Sequence, residues 1–209
     1  MRSWVVITAI SFMALAATYP CLISGVPRGD DTSTHIGYQH AFDLQRNQGE
    51  FYPRWLSEVN FGTGSPIFFF QYPLPYFVSH ALQRALPIHD VVNREAHAMG
   101  LYLTLSALLA GSFAYLWGKQ LVGWFAGLVA ALVYLTLPYS LSVDLYGRAA
   151  IGEYGALAWL PLALFFASGL PKRPRLACAG IAVTFGLLVL IHRDLVRAGT
   201  GFLRNLRMQ

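Results

Sequence analysis

The chain has 209 residues, of which 56% are hydrophobic and only 12% are charged, and its mean hydropathy is +0.47. Soluble domains carry charge on about a quarter of their residues, so this composition excludes an ordinary soluble protein. The net charge of +5 does not indicate nucleic-acid binding, because the basic residues lie in short clusters beside apolar runs, where they set membrane orientation. The sequence therefore predicts an integral membrane protein in the lipid bilayer.

Five apolar runs are candidates for membrane-spanning helices. The first, residues 4–24, exceeds the apolar length of a signal peptide and is interpreted as a signal-anchor helix. The others are residues 98–117, 121–143, 154–170 and 176–191. We predict an all-α, polytopic transmembrane helical bundle of about five spans. It forms one membrane domain over residues 1–209, in which an outer loop with interfacial helices occupies residues 25–96 and further spans occupy 98–191.

A proline-interrupted segment at residues 67–86 is apolar but is not predicted to span. Gln71, Pro73 and Pro75 break its apolar character or its hydrogen-bond ladder, and backbone exposed to lipid must satisfy its own hydrogen bonds. If the segment spans, the basic cluster at residues 172–175 falls outside, against the positive-inside rule. If it lies at the interface, that cluster and Lys119 are both cytoplasmic. We therefore predict a cell-membrane protein with a cytoplasmic amino terminus and with loops 25–66 and 139–153 together on the outer side.

The outer loop begins with an acidic pair that is suited to chemistry at the membrane surface. Thr32, Ser33 or Thr34 is placed to cap a helix that ends near Asn47. One face of this helix carries Asp31, His35, Gln39, Asp43 and Arg46. A carboxylate of Asp30 or Asp31 there has the chemistry of a general base or, together with His35, of a divalent-metal ligand. The competing interpretation is that both acidic residues only cap the helix and mark the bilayer edge.

Two further sets of residues have the chemistry of a substrate site. Arg54 and Trp55 lie in an aromatic segment that suits a headgroup or a sugar, although an interfacial aromatic belt has the same composition. Arg148 and Glu153 lie at the rim of apolar helices, where ionisable residues indicate function or a salt bridge that holds the loop. His80, His89 and His97 are interpreted as structural.

The order of motifs resembles the membrane domain of the 6-pyruvoyl-tetrahydropterin synthase-related family. The resemblance covers most of residues 25–161 and rests on GDD at 29–31 with His35, GEFYPRW at 49–55, GTGSPIF at 62–68, YPLPY at 72–76, LPY at 137–139 and YGRAAIGE at 146–153. That family is in turn similar to the GT-C class of multi-spanning glycosyltransferases, which take sugars from polyprenyl-phosphate donors.

The resemblance implies a GT-C-like amino-terminal module and roles for particular residues. Asp31 becomes the catalytic candidate as base or metal ligand, with Asp30 and His35 beside it. Donor contacts are implied for Arg54, Trp55, Tyr72, Arg148 and Glu153, with the two arginines meeting the donor phosphate. The resemblance thus implies a lipid-linked sugar as the partner of this site.

The carboxyl-terminal part departs from that family. GT-C proteins are much longer, often with ten or more spans, and the arginine-rich residues 192–209 do not continue their pattern. We interpret this tail as atypical and as consistent with a frame shift near His192, so that the chain represents an amino-terminal fragment. Two other functions stay open: a non-catalytic protein that binds or carries a lipid-linked glycan, and an inactive truncated fragment.

Overall fold

The computed structural model describes residues 2–192, and helices dominate this part of the chain. They are α1 (Arg2–Ala17), α2 (Tyr19–Ser24), α3 (Thr32–Asn47), α4 (Ile67–Phe70), α5 (Leu74–Gln83), α6 (Val91–Leu121), α7 (Trp124–Leu135), a π-helix (Tyr139–Arg148), α8 (Ile151–Leu157), α9 (Leu160–Gly169) and α10 (Pro174–Ile191). Within the described range, the β pairing consists of a single antiparallel bridge between Leu56 and Ser65. The predicted all-α class is confirmed.

Four helical segments are long and apolar enough to cross a membrane: Val91–Leu121, Trp124–Arg148, Ile151–Gly169 and Pro174–Ile191. They confirm a multi-pass membrane protein. The predicted first span is divided into α1 and α2, because Thr18 departs from helical backbone angles and Pro20 has no N–H to continue the ladder. A fifth span made of these two helices stays a prediction. The tail beyond His192 lies outside the described residues.

Two predicted boundaries need correction, and the prediction for residues 67–86 agrees with the structure. Helix α6 begins at Val91 rather than at residue 98, because Asp90 caps it by accepting a hydrogen bond from the Asn93 N–H at 2.7 Å. The predicted loop 139–153 is largely the π-helix followed by α8. Residues 67–86 form the short helices α4 and α5, and the ten residues of α5 extend only about 15 Å. That length cannot cross a hydrocarbon core of about 30 Å, which agrees with a segment that does not span.

The long helix α6 is the centre of the bundle. Gly118 of α6 meets Gly127 of α7 so closely that a Cβ atom on Gly127 would lie 2.6 Å from the carbonyl oxygen of Tyr115. Small residues at this crossing allow the two backbones to approach, as is typical of packed membrane helices. Helix α1 packs along the same helix, with Ile10 near Gly111.

The two ends of the bundle have different polar contacts. At one end, the Gln120 side chain donates hydrogen bonds to the Phe165 carbonyl at 3.3 Å and to the Ser168 hydroxyl at 3.2 Å. At the other end, the Asp31 N–H donates to the Arg148 carbonyl at 2.8 Å. The two predicted outer loops therefore meet on the same side. Which side is cytoplasmic stays a prediction.

Helices α3 and α5 dock on the first turns of α6. The 31 residues of α6 extend about 46 Å, which exceeds the hydrocarbon thickness of about 30 Å. The end that carries Arg94 and Glu95 is the polar one, and His40 of α3 meets the Glu95 carboxylate there at 3.1 Å. A position of the docked helices at the membrane boundary stays a prediction.

Candidate functional site

The acidic segment is held against the end of the π-helix by its backbone. The Asp30 N–H donates to the Gly147 carbonyl at 3.1 Å and the Asp31 N–H to the Arg148 carbonyl at 2.8 Å. Carbonyls at a helix end have no partner within the helix, so these bonds satisfy them. Gly29 permits the approach, since a Cβ atom there would lie 2.5 Å from the Arg148 carbonyl carbon. Ala149 ends the π-helix in the left-handed region, with φ of 56°.

Side chains from both segments meet in what we call the rim cluster, which comprises Asp31, Tyr139, Asp144, Arg148 and Glu153. The Arg148 guanidinium lies 3.0 Å from Glu153, 3.6 Å from Asp31 and 4.0 Å from Asp144. The Tyr139 hydroxyl donates to Glu153 at 3.1 Å. The Asp31 and Arg148 side chains are each 43% exposed, so this cluster is open to solvent or to a ligand.

The structure separates the two neighbouring carboxylates. Asp31 occupies the position before α3, yet its side chain accepts no hydrogen bond from the helix amides and faces Arg148 instead. Asp30 is exposed, and its side chain makes no hydrogen bond or ion pair with any other described residue. The capping interpretation therefore fails for Asp31, and the two carboxylates differ in their surroundings.

His35 is turned away from Asp31 toward α5. Its Nδ1 atom lies 2.7 Å from the Tyr76 hydroxyl, and its side chain is buried. Burial lowers the pKa of His35 to about 4, against a smaller raising effect of Asp31 and a lowering effect of Arg148. Burial also raises the pKa of Tyr76 well above its usual value. The imidazole is therefore neutral and the phenol keeps its proton, and the tautomer of His35 decides which of the two donates in this hydrogen bond.

Tyr72 also reaches the rim cluster. Its ring lies directly against Gly152, where any Cβ atom would clash with it, and it stacks on His192 with ring centroids 5.6 Å apart. Burial is the main cause that raises the pKa of the Tyr72 hydroxyl to about 12. The charges of Asp31 and Glu153 raise this pKa slightly further, and the charge of Arg148 lowers it. A neutral hydroxyl thus borders the charged groups.

Arg54 and Trp55 are not part of this arrangement. Arg54 lies over the rings of Tyr52, at 5.2 Å, and Phe69, at 5.8 Å, while the Trp55 indole packs against Gly64. Of the predicted site residues, the structure brings together Asp31, Arg148 and Glu153, with Tyr72 near their charges, whereas His35 faces Tyr76 of α5. Donor-binding roles for Arg54 and Trp55 stay predictions.

A second polar group, which we call the buried cluster, joins α3 to α5 and comprises Gln39, Asp43, Tyr76, His80 and Gln83. The Asp43 carboxylate accepts hydrogen bonds from Gln39 at 2.9 Å and from Gln83 at 2.5 Å, and it lies 2.6 Å from the His80 Nδ1 atom. The structural interpretation of His80 fits this contact. The sequence signal was available, because the spacing of residues 35, 39 and 43 on α3 is matched by residues 76, 80 and 83 on α5.

The donor set of the rim cluster does not suit a divalent metal. Its carboxylates surround a guanidinium, so an internal cation already occupies the centre. Among the residues that the structure describes, no group of three or more His, Cys, Asp or Glu side chains is arranged to hold a metal ion. The metal pair Asp31 and His35 stays a prediction.

A cavity of about 820 Å³ lies beside the acidic segment. Arg28, Gly29, Thr32 and Ser33 line it on one side, and Tyr146 of the π-helix lines it on another. Asp31 is not among its lining residues. The cavity is large enough for a headgroup or a sugar.

Comparisons of the chain with protein-family models, with curated proteins and with solved structures find no match. The resemblance to GT-C glycosyltransferases therefore stays a prediction that rests on the motifs of the sequence.

Proposed function

We propose that this chain is the amino-terminal portion of a membrane glycosyltransferase-like protein that takes its sugar from a polyprenyl-phosphate donor on the outer membrane face. The observation that carries the proposal is the pairing of Asp31 with Arg148. These residues are far apart in the sequence, yet their side chains lie 3.6 Å apart and each is 43% exposed. An accessible carboxylate beside a guanidinium at the bilayer rim has the groups that such a transfer requires.

In the proposed reaction, Asp31 acts as the general base. Its carboxylate accepts the proton of an acceptor hydroxyl while that oxygen forms a bond to the anomeric carbon of the sugar. The bond from the anomeric carbon to the donor phosphate breaks, and polyprenyl phosphate leaves with the electron pair. Protons and charge balance without a metal or another reactant.

Arg148 connects donor binding to this step. Guanidinium groups bind phosphate oxygens strongly, and Arg148 is held in the free protein by Asp31 and Glu153. A donor phosphate at Arg148 competes with Asp31 for the guanidinium. Once displaced, the Asp31 carboxylate is free to accept the acceptor proton, so that donor binding prepares the base.

The proposal is tested by neutralising the base in the whole chain, reconstituted in lipid vesicles with polyprenyl-phosphate-linked sugars and candidate acceptors. We expect Asp31→Asn to abolish transfer while leaving membrane insertion unchanged. Glu58→Gln is the matched control, because Glu58 is an exposed carboxylate of the same outer loop that lies outside both clusters. Full transfer by Asp31→Asn would refute the role of Asp31 as the base.

A non-catalytic glycan carrier is the second candidate function, and the cavity beside Arg28 favours it. This cavity of about 820 Å³ adjoins the acidic segment, but Asp31 does not line it. For a carrier, we expect Arg148→Gln to bind a lipid-linked sugar as well as the unsubstituted chain does, whereas Arg28→Ala weakens binding. For the enzyme, whose donor phosphate meets Arg148, we expect the reverse. Direct binding of a fluorescent polyprenyl-phosphate sugar to the two variants separates carrier from enzyme.

A further inference from the structure

An aromatic segment of the outer loop stands out because it exposes its rings. We call residues 51–70 the aromatic hairpin. Its exposed rings are Phe51 at 79%, Trp55 at 50%, Phe61 at 108%, Phe69 at 50% and Phe70 at 74% of their reference surface. Apolar side chains are usually scattered singly over a protein surface. So many large exposed rings within 20 residues indicate a surface that meets a partner.

The hairpin is held rigidly, so that its exposure belongs to the fold. Leu56 and Ser65 exchange backbone hydrogen bonds of 2.9 and 3.0 Å, and the Leu56 side chain is fully buried. Phe68 is buried against Tyr76 of α5, with ring centroids 4.9 Å apart, and it packs edge-on against Phe42 of α3 at 5.3 Å. The hairpin is thus fixed to the two helices that dock on α6.

The tip of the hairpin presents Phe61 in an unfavourable backbone conformation. Asn60 and Phe61 have φ angles of 53° and 58°, in the left-handed region that bulky residues rarely adopt. The turn is fixed by its own hydrogen bonds, from the Gly64 N–H to the Val59 carbonyl at 3.0 Å and from the Thr63 hydroxyl to the Asn60 carbonyl at 2.7 Å. Strain of this kind concentrates at functional sites. Phe61 buries almost no surface against the described chain, so the fold itself gains nothing from the ring.

The surroundings of the hairpin indicate a lipid surface as the partner. The hairpin rests on α3 and α5, and His40 of α3 meets Glu95 in the first turns of α6, a helix of 31 residues that is longer than a hydrocarbon core requires. The rings are accompanied by cations, since Arg46 lies 5.3 Å from the Phe51 ring centroid and Arg54 lies 5.8 Å from that of Phe69. Aromatic rings with arginines beside them are typical of the membrane–water interface, where arginine also pairs with lipid phosphates.

We propose that the aromatic hairpin inserts its tip into the headgroup region of the leaflet beside α6, with Phe61 as the inserted residue. The contact anchors α3 and α5 against the bilayer. It does not depend on the transfer reaction.

The test measures the depth of residue 61 in lipid. The whole chain carries Cys178→Ala, since Cys21 is buried and remains unlabelled whereas Cys178 is exposed. A nitroxide label is attached at Phe61→Cys and, as the matched control, at Gln48→Cys, because Gln48 is an exposed polar residue that follows α3. Both proteins are reconstituted in bilayers of phosphatidylcholine with phosphatidylglycerol. Accessibility of each label to oxygen and to a water-soluble nickel chelate is compared.

We expect the label at residue 61 to be accessible to oxygen and shielded from the nickel chelate, whereas the label at residue 48 has the opposite preference. Equal access of the nickel chelate to both positions would overturn the proposal. A label at 61 that is immobilised and shielded from both reagents would also overturn it, because a protein then covers the tip. Substitution at residue 61 leaves the fold intact, since its ring contributes almost no buried surface.

Discussion

Helix α3 carries two polar groups that use the same residue types in opposite ways. At its beginning, Asp31 is half exposed and lies 3.6 Å from Arg148. Three turns later, Asp43 is buried and accepts close contacts from Gln39, His80 and Gln83. A carboxylate whose partners surround it from every side is committed to structure. In the rim cluster, Asp31 and Arg148 keep 43% of their side chains exposed although Asp144 is buried, so those two charges are accessible to a ligand.

Breaking the buried cluster gives the largest expected effect on stability. Asp43→Ala removes the acceptor shared by two amides and an imidazole, which leaves buried donors unpaired. We expect the free energy of unfolding to fall by about 4 kcal/mol, as for other buried pairs that lose one partner. Reversible unfolding of the chain in mixed detergent micelles measures this loss.

Glu58→Ala serves as the control, because that carboxylate is exposed and its removal should change stability by no more than about 0.5 kcal/mol. If Asp43→Ala and Glu58→Ala unfold alike, the buried cluster does not hold α3 to α5.

Acid should lower the free energy of unfolding through His35, which joins α3 to Tyr76 of α5. Its pKa is about 4 in the folded protein, mainly because of burial, against about 6.5 in an unfolded chain. Between these values the unfolded chain binds more protons, so stability falls as the pH falls from about 6.5 to 4. The shift corresponds to a loss of about 3 kcal/mol at most. Unfolding of wild-type chain and His35→Gln across this range isolates the effect.

His35→Gln lacks the titrating group, so its free energy of unfolding should increase relative to that of the wild-type chain as the pH falls. A constant difference between the two proteins from pH 7 to pH 4 would mean that His35 is not held in its neutral form.

Local patterns in the sequence predicted the long apolar helices, whereas they did not predict the contacts between distant segments. Helix α3 ends at the predicted residue Asn47, although the three predicted cap residues, 32–34, lie inside its first turn. A salt bridge between Arg148 and Glu153 was among the interpretations of the sequence, but Asp31 was predicted only as a separate candidate. The assembly of these three residues depends on backbone bonds between residues 30–31 and 147–148, and single-sequence spacing carries no information about such pairing.

The π-helix was missed for a related reason. Residues 139–148 have a polar composition that resembles a loop, with Ser140, Ser142 and Asp144 among them. Pro138 precedes them. Because it has no backbone N–H, it cannot donate a hydrogen bond to the preceding helical turn, and this favours an irregular helix after it. The buried cluster had a visible signal in two matched helical spacings, but only the packing of α5 on α3 shows that these spacings face each other.

Two glycine substitutions sharpen the comparison by testing how the rim cluster is assembled. Gly29→Ala would place a Cβ atom 2.5 Å from the Arg148 carbonyl carbon, so the acidic segment must move away from the π-helix. We expect a loss of about 2 kcal/mol in stability, together with a longer distance between Asp31 and Arg148. Unfolding in mixed micelles measures the first effect, and distances between spin labels on the two segments measure the second.

Gly37→Ala is the matched control. Gly37 lies inside α3 with nothing within 4 Å of the added Cβ atom, so alanine should stabilise the helix by about 0.5–1 kcal/mol. Equal responses to the two substitutions would mean that the close approach at Gly29 is not required.

The smallest effect on stability is expected in the rim cluster itself, at Glu153. Its pair with Arg148 is close, at 3.0 Å, but the two side chains are 24% and 43% exposed. Such a pair contributes little after solvent screening, so Glu153→Gln should lower the free energy of unfolding by about 0.5 kcal/mol or less. The same change frees Arg148 from one of its two nearest carboxylates, and it should therefore alter binding of a polyprenyl-phosphate sugar. A stability loss as large as that of Asp43→Ala would assign the rim cluster to structure. A small loss with altered binding separates an open site from a buried support on the same helix.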